Sequence, residues 1–238
     1  TQGKLEGLSL SSVTLDGSAD YIAVGNCPAG SFTVSAWVYD THANSGDFSA
    51  IYSASGEEIW FGVEEDDTNP FVRMHVGRHG SDGNNYAQTA AGTFTKNKWV
   101  HLVGTWDGTN AAIYINGVSQ TLTINETLSN PSAADAIIGS YYTSPTVSNQ
   151  WTGNLRDIRL YDYGLSADQA ASLYSGSYNV TPLNWWKLDE AAAANAAGDF
   201  EDSGTGTDQD GQGVSIAAFS NGTLDLDSTL TIEANGTL

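Results

Sequence analysis

The sequence predicts an all-β protein, a two-sheet antiparallel β-sandwich carrying one short helix. Three observations lead there. Short β-prone runs recur at close spacing with Gly, Asn and Asp between them, the pattern of sandwiches and barrels. Within the runs, aliphatic residues alternate with aromatic or polar ones, as strands with one buried face require. And the stretch AAIYINGVSQTLTI sets an Asn-Gly pair between two such runs, the strongest local hairpin signal because a type I′ turn needs positive φ at both central residues.

In chain order the predicted strands cover residues 13–16, 21–24, 32–39, 48–53, 59–63, 71–76, 99–106, 112–115, 118–124, 136–140 and 155–161. In the third, Phe32, Val34, Ala36 and Val38 point one way while Thr33, Ser35, Trp37 and Tyr39 point the other. The same reading sets Ile59, Phe61 and Val63 against Trp60, Val72, Met74 and Val76 against Phe71, Arg73 and His75, and Val100 and Leu102 against Trp99 and His101. Trp37, Trp60, Arg73, His75 and His101 are therefore expected on a shared non-core face. The helix covers about residues 166–175: Ser166 as N-cap with Gln169 three residues on forms a capping box, and Gly176 supplies the stop. Ala170, Leu173 and Tyr174 share its apolar side.

Composition narrows the function. With 8 Lys+Arg against 28 Asp+Glu the formal charge is −20, the opposite of the basic footprint that nucleic acid or an anionic membrane surface demands. There is no apolar run long enough for a membrane span. The single cysteine, Cys27, permits no internal disulfide and reads as a small packed residue. The chain begins at Thr1 and reads as a mature or excised piece of something longer. Four Asn-x-Thr sequons begin at Asn125, Asn179, Asn221 and Asn235. The four histidines have no Ser or Cys elbow partner and no HExxH motif, so they read as surface or hydrogen-bonded residues.

Five blocks, VTLDGSADYIAVG, SFTVSAWVY, KWVHLVGTWDGTNAAIYINGV, AIIGSYY and WTGNLRDIRLYDYGLSADQAASLYSG, occur in the order seen in laminin G-like domains, and the chain resembles that family over residues 13–176. The resemblance implies a jelly roll of the concanavalin A-like lectin/glucanase fold: two curved antiparallel sheets packed face to face. It implies little about activity, since lectins, adhesion modules and glycosidases share the scaffold. Residues 1–178 make up this unit. Residues 179–238 form a β-rich extension with two readings. NWWKLDEAAAANAAGDFEDSGTGTDQDGQG looks like the opening of another copy of the family. The extension then either completes its own sandwich, or starts a second unit or pairs with a neighbouring chain.

The resemblance also implies candidate sites. Family members often bind one Ca²⁺ through acidic residues that correspond to Asp20 and Asp157, with a carbonyl near Gly17; calcium takes six to eight such oxygens. The acidic loops 64–69 and 208–213 are weaker cation candidates. Glucanases on this fold carry a Glu-x-Asp-x-x-Glu strand. This chain lacks it: in EEDDTNP, Asn69 or Pro70 stands where an acid is needed. No enzyme is expected. Sugar recognition is the sharper option, because sugars stack on aromatic faces and are fixed by hydrogen-bonding side chains. The candidates are Trp60, then Arg78, His79, Asn85 and Tyr86 in loop 78–86, and Tyr141, Tyr142 and Trp151 in 140–151. The expectation is a calcium-assisted glycan-binding or adhesion module, extracellular or virion-associated, whose partners are glycans or a surface receptor. The alternative is a structural subunit of a fibre, capsid decoration or filament, meeting other copies of itself through residues 180–238.

Overall fold

The computed structural model describes residues 11–43, 48–64, 68–77, 85–177, 180–190, 199–216 and 218–220. Its strands are β1 (Ser12–Asp16), β2 (Tyr21–Asn26), β3 (Phe32–Asp40), β4 (Phe48–Ala54), β5 (Ile59–Glu64) and β6 (Phe71–Val76). There follow β7 (Tyr86–Thr89), β8 (Trp99–Trp106), β9 (Ala111–Ile115), β10 (Val118–Ser119), β11 (Leu122–Asn125) and β12 (Asp135–Ile138). Last come β13 (Tyr141–Tyr142), β14 (Val147–Ser148), β15 (Thr152–Tyr161), helix α1 (Ala167–Tyr174), β16 (Asn184–Trp186), β17 (Gln212–Val214) and β18 (Ala218–Ser220).

Two eight-stranded antiparallel sheets face each other. The first runs β10-β9-β8-β3-β15-β1-β18, with β16 also paired to β15; the second runs β11-β7-β6-β5-β4-β12-β2-β17. The alternation read from the sequence fills the space between them. Val34, Ala36, Val38, Val100 and Leu102 of the first sheet join Ile59, Phe61, Val63, Val72, Met74 and Val76 of the second in one buried cluster. Full burial of each of these side chains larger than Ala36 contributes about 1.5–3 kcal/mol. Cys27 lies in the same cluster, and burial, the largest cause, pushes its thiol up to about 11.

The Asn-Gly hairpin joins β9 to β10, with φ of 50° at Asn116 and 75° at Gly117. The predicted run 118–124 is not one strand. β10 pairs with β9 in the first sheet and β11 with β7 in the second, so the chain changes sheets between them. β7 begins at Tyr86, the end of the predicted loop 78–86, and its other residues lie outside the predicted strands. Helix α1 carries the expected box, Gln169 N donating to Ser166 Oγ and Ser166 N to Gln169 Oε1.

The extension joins both sheets of this same sandwich: β16 pairs with β15, β18 with β1 and β17 with β2. Asp202 anchors it. Its Oδ1 accepts Trp185 N at 2.7 Å and Gly204 N at 2.9 Å, while Oδ2 accepts Asn184 Nδ2 at 2.6 Å and Gln209 N at 3.1 Å. Trp186, Leu188 and Phe200 are thereby placed in the shared core.

The expectation of one non-core face for Trp37, Trp60, Arg73, His75 and His101 is corrected. Trp37 and His101 sit on the outer side of the first sheet, against Tyr174 of α1. Trp60, Arg73 and His75 belong to the second sheet. Alternation assigns each strand two faces but cannot say which sheet a strand joins.

Candidate functional site

The site lies on the outer side of the second sheet. With Phe61, Val63, Met74 and Ala87 turned inward and buried, their alternates Trp60, Arg73, His75, Tyr86 and Gln88 face out. Register aligns them: Trp60 stands opposite His75 and His75 opposite Tyr86, while Arg73 stands between Gly62 and Gln88. A β-carbon at Gly62 would lie 2.1 Å from Ser49 O and 2.8 Å from the Phe48 ring. Glycine therefore lets Phe48 fold over this strand and pack with Trp60, Ala50 and Tyr141 in a small apolar cluster separate from the core.

Two excursions complete the wall. The short turn Ser55–Glu57 between β4 and β5, with positive φ at Gly56 and Glu57, brings in Glu57. The β13–β14 hairpin supplies Tyr141, and Asn149 just after it is tied to β4, its backbone carbonyl accepting Ala50 N at 3.2 Å. Together Glu57, Trp60, Arg73, His75, Tyr141 and Asn149 line a cavity of about 200 Å³.

The polar groups are held in place. The Arg73 guanidinium donates from Nε and Nη2 to Gln88 Oε1 at 3.0 and 2.8 Å, and its Nη1 lies 2.9 Å from Glu64 Oε2. It also sits 4.3 Å over the Tyr86 ring, a cation–π contact that fixes the plane of the fork. His75 meets Trp60 edge-on at 4.4 Å and Tyr86 at 5.6 Å. Tyr141 donates to Glu57 Oε1. Burial first, then that bond and the Glu57 charge, push the Tyr141 phenol well above its usual range.

Of the expected sugar-contacting residues, the cavity brings together Trp60 and Tyr141. Tyr86 stands beside it through Arg73 and His75, and Asn85 precedes Tyr86 with its carbonyl accepting Val76 N at 3.4 Å. Tyr142 alternates with Tyr141 in a two-residue strand and is not among the lining residues. Arg78 and His79 lie outside the described residues. Trp151 is corrected: it is 0% exposed within the core, its backbone N–H donating to Gly139 O at 2.8 Å, and offers no ring face to a ligand. Arg73, His75, Glu57 and Asn149 were not among the expected site residues. The alternation of β6 signals the first two as outward-facing; nothing local signals Glu57 or Asn149.

The expected calcium ligands do not converge. Asp20 is 2% exposed, and its Oδ2 accepts Asp16 N at 2.6 Å across the turn that holds Gly17 at φ 80°. Asp157 Oδ1 accepts Trp185 Nε1 at 2.8 Å and Arg159 Nη2 at 3.0 Å. Asp16 pairs with Thr152, and from Thr152 along the strand to Asp157 is on the order of 15 Å at ~3.3 Å per residue. No group of three His, Cys, Asp or Glu able to hold a metal occurs among the described residues. The set Asp20, Asp157 and Gly17 does not fit one cation.

With the geometry in view, comparison with known proteins is direct. A laminin G family model of the concanavalin A-like lectin/glucanases superfamily matches residues 16–171. The chain belongs to this family. Among solved structures, this laminin G-like chain is similar to a proposed carbohydrate binding protein from Bacteroides ovatus, at 14% identity and TM-score 0.63, covering 90% of this chain and 60% of that one. It is similar to a heptameric SAP-like pentraxin from Limulus polyphemus, at 17% identity and TM-score 0.56, over 69% and 81% of the two chains. It also resembles the sialidase module CBM40 of Ruminococcus gnavus bound to α2,3 sialyllactose, at 12% identity and TM-score 0.53, over 71% and 100%. These identities show the fold. A zebrafish (Danio rerio) adhesion G-protein coupled receptor V1 is 24% identical over 146 residues, 60% of this chain but 2% of that receptor's length. Among the described residues no helix is long and apolar enough to cross a membrane.

Proposed function

We propose that this laminin G-like chain is a non-catalytic carbohydrate-binding module of the extracellular space, seating one sugar ring in the cavity that Trp60 and Tyr141 help to line. The observation that carries this is the composition of that wall: aromatic surface from Trp60 and Tyr141 beside the hydrogen-bonding groups of Glu57, His75, Asn149 and Arg73. A sugar needs both, an apolar surface for its C–H face and fixed donors and acceptors for its hydroxyls. Its volume of about 200 Å³ is below the range of about 300–1,000 Å³ that encloses drug-sized ligands, so it suits a single ring at a chain end or branch. Among the described residues Glu57 is the one carboxylate in the lining, whereas glycoside hydrolysis draws on two flanking the scissile bond. Three fold relatives, a proposed carbohydrate binding protein, a pentraxin and a sialyllactose-bound module, support the same reading. With β16, β17 and β18 taken up by this chain's own sheets, the assembly alternative has less to rest on.

The test is a glycan array followed by titration of tryptophan emission, with wild type and Tyr141→Ala, each with and without a chelator. Saturable binding lost in the variant supports the proposal. Binding that survives Tyr141→Ala unchanged overturns the placement, and no binding to any glycan overturns the function. Because the expected calcium set does not fit, binding is expected to persist in chelator.

A further inference from the structure

We infer that this cavity, if it takes a sugar as proposed above, selects neutral sugars and rejects those bearing a carboxylate. The inference comes from how the charges around the cavity are spent. A site for an acidic sugar presents an arginine fork with its parallel N–H groups open to the ligand carboxylate. Among the described residues Arg73 is the one Lys or Arg in the lining, and its fork is turned to other work. Nε and Nη2 both donate to Gln88 Oε1, and Nη1 lies 2.9 Å from Glu64 Oε2. The edge that would grip a carboxylate bidentately is therefore filled by an amide oxygen, and the charge is offset by a carboxylate.

On the opposite side of the wall stands Glu57, held by the Tyr141 hydroxyl. A ligand carboxylate entering here leaves water to meet one like charge and one cation already paired. Like-charge juxtaposition at a partly enclosed site is what excludes wrong partners. The chain's net charge of −20 adds a repulsive field at longer range. A neutral ring suffers none of this. Its hydroxyls can exchange hydrogen bonds with the Asn149 amide and approach Glu57 without charge repulsion.

The experiment compares two matched pairs that differ only at C6, methyl glucoside with methyl glucosiduronic acid and methyl galactoside with methyl galactosiduronic acid, each acid with its C6 carboxylate free. One larger pair is lactose with 3′-sialyllactose, in which the acidic member carries an added sialic acid. Binding is read by tryptophan emission on the full chain. The neutral member is expected to bind at least about tenfold more tightly than its acidic partner, with the gap narrowing as salt rises. Glu57→Gln and Glu64→Gln, each confirmed folded by circular dichroism, are expected to narrow the gap further, the first by removing the repulsion and the second by releasing Arg73. Equal or tighter binding of the acidic members overturns the inference and leaves the carbohydrate reading standing. Absence of saturable binding by every sugar overturns both. A gap that neither salt nor either variant changes also overturns it, because the discrimination would then be steric.

Discussion

The Tyr141 hydroxyl donates to the Glu57 carboxylate across 84 residues of sequence, tying the β13–β14 hairpin to the turn between β4 and β5. The bond closes one side of the cavity, and it orients both groups. Tyr141→Phe keeps the ring and deletes the bond. A hydrogen bond to a charged group is worth about 1.5–3 kcal/mol, discounted here because Tyr141 is only half-buried, so a loss of about 1 kcal/mol is expected in a denaturant titration. Sugar affinity is expected to fall about tenfold, since 1.4 kcal/mol is a factor of ten. An unchanged affinity would show that the Tyr141 hydroxyl takes no part in recognition.

Asp202 carries a second prediction. Its carboxylate accepts two backbone amides of the extension on Oδ1 and another, with the Asn184 side chain, on Oδ2. Asp202→Ala leaves those donors without their acceptor, including Asn184 Nδ2 on a fully buried residue. The expected cost is about 2–4 kcal/mol. Trp186, now 0% exposed, should become solvated, shifting tryptophan emission to the red, and protease should cleave the extension ahead of the sandwich. Equal protease resistance in variant and wild type would refute the anchor.

Much of this fold was legible because its determinants are local. Alternation marked the inward residues of β3, β5, β6 and β8, the Asn-Gly pair marked a turn that needs positive φ, and Ser166 with Gln169 marked a helix start. The cavity was only half legible because it is a product of pairing. Glu57, Trp60, Arg73, Tyr141 and Asn149 come together through register and a returning hairpin, and no window of sequence contains that. Trp151 shows the converse error. A tryptophan after a polar loop reads the same whether it lines a rim or plugs a core, and the backbone bond to Gly139 O, not the residue type, decides for the core. Asp20 and Asp157 were placed by family position, whereas their local partners, Asp16 N and Trp185 Nε1, decide what they do.

Asp20 yields a prediction in which sign alone discriminates. Burial, the largest cause, raises its carboxyl above the usual value; the bond from Asp16 N opposes this, and the Asp16 charge adds to it. A carboxyl whose folded value exceeds its unfolded value stabilises when protonated, and that contribution is lost as pH rises through the folded value. Asp20→Asn mimics the protonated form and can still accept Asp16 N. It should therefore melt no lower than wild type at pH 7, with the difference vanishing below the ordinary value of 3.8. An Asp20 that anchors calcium would behave oppositely, the variant melting lower at pH 7 and losing any calcium response.

His101 carries the last prediction, an acid sensitivity of the fold. The ring is 0% exposed, with Nε2 3.0 Å from Ser35 Oγ, and Nδ1 has no hydrogen-bond partner among the described residues. Burial first, then the charges of Arg159 and Arg156, lower it from 6.5 to about 3. For a folded value depressed below the unfolded one, the unfolded chain binds the proton first. Stability is then fully present above the unfolded value and falls with pH toward the folded one, by about 1.4 kcal/mol per pH unit. His101→Gln removes the titrating group. Urea titrations at pH 6.5 and 4.5 are expected to show wild type losing about 2–3 kcal/mol more than the variant over that interval. Should the variant not fold, the imidazole proton shift of wild type serves instead and is expected to stay that of the neutral ring at pH 4.5. Parallel losses in the two proteins, or an imidazolium shift at that pH, would show that the ring is not held neutral by the fold.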